Sequence, residues 1–166
     1  MTDFERELEE KRKAFDAAQA AAAKEAAEKR RTSESIAADG ISALKKHAIP
    51  TLLRAQAGLK KVEMDLLIEE EFDVAIYSNP VPKISAICGS PARKSDGYRM
   101  KSRPLIIEVK NGVFVVGIGK EFNRRHIEDK IAEIDPTRAE AVINEQILKL
   151  TDEALAKLKD FHGPWT

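Results

Sequence analysis

The sequence has little of what stabilises small secreted proteins or holds proteins in membranes. It contains a single cysteine, Cys88, which excludes an internal disulfide and favours a reducing compartment. No apolar run approaches the roughly 20 residues that span a bilayer, and the first residues are too charged for a signal peptide. We therefore expect a cytoplasmic protein that does not enter a membrane.

Neither the net charge nor the metal-binding side chains indicate a ligand. Lys and Arg together number 28, as do Asp and Glu, so no overall field draws the chain to nucleic acid. The three histidines, His47, His126 and His162, lie far apart and lack the spacing of a metal site. These features predict no metal site and no cofactor.

Residues 3–31 are predicted to form one helix that extends from the rest of the chain. Alanine, the strongest helix former, fills positions 20–23, and no glycine or proline interrupts the segment. Its only large apolar residues are Phe4, Leu8 and Phe15, too few to bury much surface within one chain. The segment is therefore either a solvated extension or one half of an alanine-rich coiled coil with another helix.

A second helix is predicted from about residue 34 to about residue 60. Thr32 and Ser33 offer an N-cap at its start. Pro50 has no backbone N–H and should kink or restart the helix. An apolar stripe at helical spacing is formed by Ile36, Ile41, Leu44 and Ala48.

Residues 62–77 alternate between apolar and acidic side chains, with Glu70 as the break in the series. The apolar positions are Val62, Met64, Leu66, Ile68, Phe72, Val74 and Ile76. A period of two puts alternate side chains on opposite faces of a strand, so this segment is predicted to be the first strand of a half-buried sheet. The rival interpretation continues the preceding helix through residues 62–68.

Further strands are predicted after a turn at residues 78–82. They cover residues 83–89, 98–101, 104–110 and 113–118. Asn111-Gly112 joins the last two, and this pair is the strongest short-range hairpin signal because a type I′ turn needs positive φ at both positions. Gly117 and Gly119 are expected to close the sheet.

The last segments of the chain are predicted to be helical. Residues 121–134 are expected to be partly helical. Asp135 reads as an N-cap and Pro136 as the first position of a helix that ends near residue 161. The predicted fold class is α+β: an N-terminal helical extension, a helix, a five-stranded antiparallel meander and a long C-terminal helix packed on one face of the sheet.

Two units follow from this fold. Residues 1–31 form a helical extension for interaction or oligomerisation, and residues 32–166 form a two-layer α+β domain. Charge is segregated within the second unit, because residues 62–78 hold six acidic and no basic residues, whereas residues 79–125 hold ten basic and three acidic residues. These charges either pair across the sheet or complement a neighbouring subunit.

One short motif suggests catalysis. Asp96 followed by Glu108-Val109-Lys110 resembles the Asp…Glu-x-Lys pattern of the restriction-endonuclease-like nucleases. In such a site two carboxylates hold Mg²⁺ and the lysine supports the attacking water. However, Glu-x-Lys occurs twice more in this chain, and a cross-strand ion pair on a solvated face is the favoured explanation of Glu108 and Lys110. The nuclease is therefore a less favoured alternative, and we do not expect an enzyme.

A basic loop is the second candidate site. Its members are Arg93, Lys94, Tyr98, Arg99, Lys101 and Arg103. The cationic side chains could contact phosphates and the tyrosine could stack on a base. A solvated loop, or a patch that meets the acidic strand of another subunit, is the competing interpretation.

The sequence therefore favours a non-catalytic interaction or assembly protein. It would self-associate or bind a protein partner through its N-terminal helix and its charge-segregated sheet. The alternative is a nucleic-acid-binding module that uses the basic loop at residues 93–103. The small size and the helical extension also suit a phage protein.

Overall fold

The computed structural model describes residues 2–73, 81–89, 101–119 and 125–161. The elements in chain order are the helices α1 (Asp3–His47) and α2 (Ile49–Lys60), the strands β1 (Asp65–Glu71), β2 (Lys83–Gly89), β3 (Leu105–Lys110), β4 (Val113–Ile118) and β5 (Arg125–Lys130), a 3₁₀ turn (Ile131–Glu133) and the helix α3 (Pro136–Phe161). In these residues no helix combines the length and the hydropathy needed to cross a bilayer.

The five strands form one antiparallel sheet in the order β1-β2-β3-β4-β5, so each strand pairs with its neighbour in the chain. This confirms the predicted α+β class and its meander. The β3–β4 hairpin turns at Asn111 and Gly112, whose φ angles are 52° and 72°. Both are positive, as the predicted type I′ turn requires.

The alternating segment forms strand β1, and the rival helix is wrong. Helix α2 ends at Lys60, and a turn in which Glu63 has a φ of 59° separates it from the strand. The strand is shorter than predicted, since it begins at Asp65 and ends at Glu71. Residues 74–77 lie outside the described residues.

Alternate side chains of the strands form the core on one face of the sheet. The C-terminal part of α1, together with α2 and α3, packs against this face, as predicted for the helices that follow the extension. The largest fully buried side chains are Phe114, Leu44, Leu52, Leu66, Ile84, Leu105, Ile107, Ile143, Leu150, Gln146, Val109 and Val116. Those on neighbouring strands are paired in register, for example Ile107 with Val116 and Val109 with Phe114.

The predicted helix start at Thr32 and Ser33 is wrong, because α1 runs through both residues without interruption. The Thr32 hydroxyl donates to the carbonyl of Glu28 at 3.0 Å, one turn back, instead of capping a new helix. No glycine or proline breaks the segment here, so the helix propagates. The break comes at Ala48, and Pro50 lies in the first turn of α2, where its missing N–H costs nothing.

The C-terminal edge of the sheet also differs from the prediction. In the segment predicted to be partly helical, residues 121–134, only Ile131–Glu133 is helical, as one 3₁₀ turn. Arg125–Lys130 instead forms the fifth strand, in which Ile127 pairs with Val116, and residues 121–124 lie outside the described residues. Gly117 and Gly119 therefore do not close the sheet. Of the predicted strand at 98–101, residues 98–100 lie outside the described residues, and Lys101 forms an isolated bridge with Gly89.

Helix α3 begins where the sequence predicts and continues to Phe161, the last of the described residues. The Asp135 carboxylate accepts hydrogen bonds from the backbone N–H groups of Thr137 at 3.0 Å and Arg138 at 3.4 Å. These bonds satisfy donors that have no partner within the helix. The cap therefore fixes the start of α3 directly before Pro136.

Gly40 sets how closely α1 approaches the sheet. A Cβ atom at this position would lie 2.9 Å from Pro82 Cγ and 3.3 Å from Val109 Cβ. Pro82 and Val109 are themselves joined, since the Val109 N–H donates to the Pro82 carbonyl at 3.1 Å. The absence of a side chain therefore lets the α1 backbone rest directly on the sheet.

Candidate functional site

Helix α1 consists of two stretches with different surroundings. Every residue from 2 to 32 is exposed, and burial begins at Ser33. We call residues 3–32 the arm and residues 33–47 the packed part, which contains the buried Gly40, Ala43 and Leu44. At 1.5 Å per residue the arm is about 45 Å long, and no described residue of its own chain covers it.

The arm stays helical through local interactions. Thr2 and Glu5 form a capping box, in which the Thr2 hydroxyl accepts from the Glu5 N–H and the Glu5 carboxylate accepts from the Thr2 N–H. Ion pairs four residues apart follow along the surface at Arg12–Asp16 (3.3 Å) and Lys29–Glu25 (3.1 Å). Each exposed pair contributes only about 0.3–0.5 kcal/mol, so alanine supplies most of the helix preference.

The arm carries an exposed apolar stripe. Phe4 is 68% exposed, Leu8 51% and Phe15 57%. At about 100° per residue these three side chains leave the helix within an arc of about 40°. Ala18 and Ala22 continue the stripe toward the packed part.

The side chains of the stripe point to the same side of α1 as the buried face of the packed part. Gly40 follows Phe4 by about ten helical turns, so both residues lie in one direction from the axis of a regular helix. Gly40 faces the sheet through Pro82 and Val109. The stripe therefore continues the core-facing surface of α1 past the end of the sheet.

Charge is unevenly distributed along the arm. Residues 3–10 hold five acidic side chains and one basic side chain, whereas residues 24–31 hold four basic and two acidic side chains. The acidic end lies at the N-terminus of α1, where the helix dipole favours negative charge. The arm is therefore negative at its tip and positive near the sheet.

The structure describes two of the six residues of the predicted basic loop. Arg93, Lys94, Tyr98 and Arg99 lie outside the described residues. Arg103 is paired with Glu153, which accepts from the Arg103 Nε at 3.2 Å and from the Arg103 backbone N–H at 3.1 Å. The exposed Lys101 offers its carbonyl to the Lys157 ammonium group at 2.9 Å. A role of this loop in nucleic-acid binding stays a prediction.

The predicted nuclease residues are only partly described. Glu108 and Lys110 share the face of β3 that points away from the helices, whereas Asp96 lies outside the described residues. Lys83 stands opposite Glu108 in the sheet, but its ammonium group pairs with Glu71 at 3.3 Å. Across residues 2–73, 81–89, 101–119 and 125–161 no group of three or more His, Cys, Asp or Glu side chains could hold a metal.

The Lys83–Glu71 pair also bears on the segregated charges of the sheet. Glu71 belongs to the acidic segment and Lys83 to the basic segment, and the two residues are directly opposite each other on β1 and β2. The two segments therefore meet within the chain at this position. Glu69 and Glu70, on the exposed edge strand β1, add negative charge beside it.

The buried Cys88 and the half-buried His47 both lie against the packed core. Burial raises the pKa of the Cys88 thiol, which lies 3.8 Å from the Thr151 hydroxyl. Burial, followed by the charge of Lys46, lowers the pKa of His47, whose ring meets Phe114 edge-on at 6.3 Å. A thiol kept protonated is a poor nucleophile, so the surroundings of Cys88 do not activate it.

Two open grooves line the described surface. One, of about 430 Å³, lies between α2 and β1 and is lined by Leu52, Leu53, Gln56, Ile68 and Glu70. The other, of about 290 Å³, lies where the arm joins the domain, beside Ile36 and the Asn111-Gly112 turn. Neither of these two grooves brings together acid, base and nucleophile side chains. The arm exposes three large apolar side chains and is therefore our candidate functional site among the described residues.

Sequence reasoning identified the exposed residues of the arm but missed their direction. The signal was present, because Phe4 and Gly40 are separated by a whole number of turns, but the sheet position was needed to interpret it. Comparisons with protein-family models, with curated proteins and with solved structures find no match to this chain.

Proposed function

We propose that this protein is a non-catalytic interaction and assembly protein whose arm packs against another helix. One observation carries the proposal: residues 2–32 are all exposed, and they include three large apolar side chains that are each more than half exposed. A coiled-coil contact along the stripe at Phe4, Leu8 and Phe15 would cover them.

The energetics favour a partner helix. An uncovered helix gains nothing from tertiary packing, which supplies most of the stability of helices in proteins. Burying each large side chain of the stripe contributes about 1.5–3 kcal/mol. Association itself costs about 4–15 kcal/mol, so an assembly through this stripe depends on both helices and on protein concentration.

The alanines of the arm suit the same contact. Ala18 and Ala22 present no bulk, so a second helix can approach closely and bury the larger side chains against them. Alanine at these positions also costs no side-chain entropy on packing. A helix that only needed to remain soluble would gain more from charged residues there.

The sheet offers a second region for the same function. Strand β1 lies at the edge, and Glu69, Glu70 and Glu71 are exposed there. Charged residues on an edge strand oppose pairing with another strand, but they attract basic side chains of a partner. We propose the cytoplasm as the compartment, because Cys88 is a buried free thiol.

Light scattering on full-length variants tests the proposal. The variant Phe4→Ala, Leu8→Ala and Phe15→Ala removes the stripe but keeps the helix, since alanine is the better helix former. The matched control, Arg6→Ala, Glu9→Ala and Lys13→Ala, shortens three side chains on the opposite face of the arm. We expect the wild type and the control to form assemblies whose mass rises with concentration, and the stripe variant to stay monomeric.

Circular dichroism must show the same helix content in all three proteins. The proposal fails if two results occur together. The wild type is a monomer at ~100 μM, and affinity purification from the source cell recovers the same proteins with the wild type as with the stripe variant. It also fails if the control variant loses assembly as completely as the stripe variant, because the apolar stripe would then have no special role.

A further inference from the structure

We propose that the partner of the arm is the arm of a second copy of this chain, packed antiparallel so that Phe15 of each copy lies over Ala18 of the other. The proposal rests on the proposed function and names the partner and its direction. Three features of the described residues carry it: the direction of the stripe, the length of the exposed stretch and the order of the charges.

The direction of the stripe excludes a parallel pair. The stripe lies on the side of α1 on which its own sheet lies, because Phe4 and Gly40 are in line on a regular helix and a Cβ atom at Gly40 would point at Val109. A parallel partner would run along the stripe and then meet the sheet where residue 33 becomes buried. In an antiparallel pair the partner helix starts at this position, at its Asp3, and therefore does not run into the sheet.

The length of the exposed stretch fits an antiparallel pair. The exposed residues run from 2 to 32, so their centre lies at residue 17. Two arms that cross near this centre cover each other completely. Each sheet domain then begins just beyond the N-terminus of the other copy, at opposite ends of the pair.

The charges select the same arrangement. An antiparallel pair places the acidic residues 3–10 of one arm beside the basic residues 24–31 of the other. A parallel pair instead places each charged segment beside the same segment of the other copy, so that like charges meet. Like charges in close contact oppose association, so the charge order favours the antiparallel pair at both ends.

The side-chain sizes fix the register. When the paired residue numbers add up to 33, each residue of the stripe meets a residue on the same helix face of the other copy, as in coiled-coil layers. Large or long side chains then meet small ones, with Phe15 over Ala18 and Lys11 over Ala22. The outer layers pair Leu8 with Glu25 and Phe4 with Lys29, whose stems can cover apolar surface.

Disulfide trapping in the full-length chain tests this arrangement. Lys11→Cys and Ala22→Cys are made separately, one of them with a size tag, and the two are co-expressed and then oxidised. We expect a mixed disulfide of intermediate mass as the main product. Neither variant alone should link to itself, because positions 11 and 11, or 22 and 22, lie about 16 Å apart along this pair.

Two controls keep the result specific. Lys13→Cys with Ala20→Cys has the same register sum but lies on the opposite face of the arm, so we expect no link. The wild type contains only Cys88, which is buried, so we expect no link there either. A mixed disulfide from the control pair equal to that from the stripe pair would overturn the proposal.

Other outcomes separate this inference from the proposed function. Self-linking of Lys11→Cys and of Ala22→Cys alone would show a parallel pair, which overturns the inference but keeps an assembly function for the arm. A wild type that stays monomeric would overturn the second copy as the partner. A monomeric wild type overturns the assembly function as well when the stripe variant also changes no interaction with other proteins.

Discussion

The arm and the packed part of α1 belong to one uninterrupted helix, yet they are stabilised differently. In the packed part, Gly40 and Leu44 hold the helix against the sheet. In the arm, a capping box and ion pairs act only within the helix. Apolar residues line the same side of both, so the difference is whether a surface lies opposite them. An apolar stripe therefore predicts a contact, but it does not say which chain supplies it.

The largest effect on stability is expected when one leucine in each stretch is replaced by alanine. Leu44 is fully buried and Leu8 is 51% exposed. We expect Leu44→Ala to lower the free energy of unfolding by about 2–5 kcal/mol, as cavities in a core do, at any protein concentration. Leu8→Ala should change it by less than about 0.5 kcal/mol in dilute protein, as is usual for surface positions.

Urea unfolding followed by circular dichroism measures both variants at low and high protein concentration. The two stretches do not differ as described if Leu8→Ala and Leu44→Ala are equally destabilising in dilute protein. A growing effect of Leu8→Ala at high concentration would sharpen the comparison, because it would place Leu8 in an interface.

A smaller effect is expected from glycine substitutions. Gly40→Ala places a Cβ atom 2.9 Å from Pro82 Cγ, and such overpacking costs about 1–3 kcal/mol. A Cβ atom at Gly58, in α2, would meet nothing within 4 Å, so Gly58→Ala should instead stabilise by about 0.5–1 kcal/mol.

Thermal unfolding of the two variants checks this prediction, since both add one methyl group to a helical glycine. A gain in stability for Gly40→Ala would mean that the packed part is not held as closely to the sheet as Gly40 indicates. The arm offers no comparable position, because the first glycine of the chain is Gly40.

The smallest effect is expected from pH, through His47 in the packed part. The pKa of His47 is lowered in the fold, chiefly by burial, whereas the unfolded chain keeps a pKa of about 6.5. Between these two values the unfolded state binds the proton more tightly, so stability must fall as the pH falls. The stabilisation is complete above about pH 6.5 and is lost as the pH drops through the lower pKa of the folded state.

Urea midpoints between about pH 8 and pH 5 measure this slope, with His47→Gln as the control that should flatten it. An unchanged slope in His47→Gln would assign the pH dependence to other groups.

Local sequence signals predicted the elements that short-range chemistry determines. Asn111-Gly112 specified the hairpin through its backbone angles, and Asp135 specified the start of α3 through its side-chain cap. Thr32 and Ser33 misled because the same hydroxyls that cap a helix can also bond to the preceding turn, as Thr32 does.

Signals that depend on distant parts of the chain were weaker. Strand β5 was missed because it lies at the edge of the sheet and buries only Ile127, which leaves almost no alternation to read. Arg103 looked like a free cation until the fold placed Glu153, fifty residues later, beside it. The arm was recognised from its composition, but its direction depended on where the sheet lies.

The continuity of α1 has a mechanical consequence. No glycine or proline lies between Asp3 and Gly40, so this helix has no joint at which it could bend sharply. A force applied to the N-terminal end of α1 is therefore transmitted along a stiff helix to Gly40, where the backbone lies close to Pro82 and Val109. The number of residues in the arm then sets a fixed spacing, which adding two turns of helix would lengthen by about 11 Å.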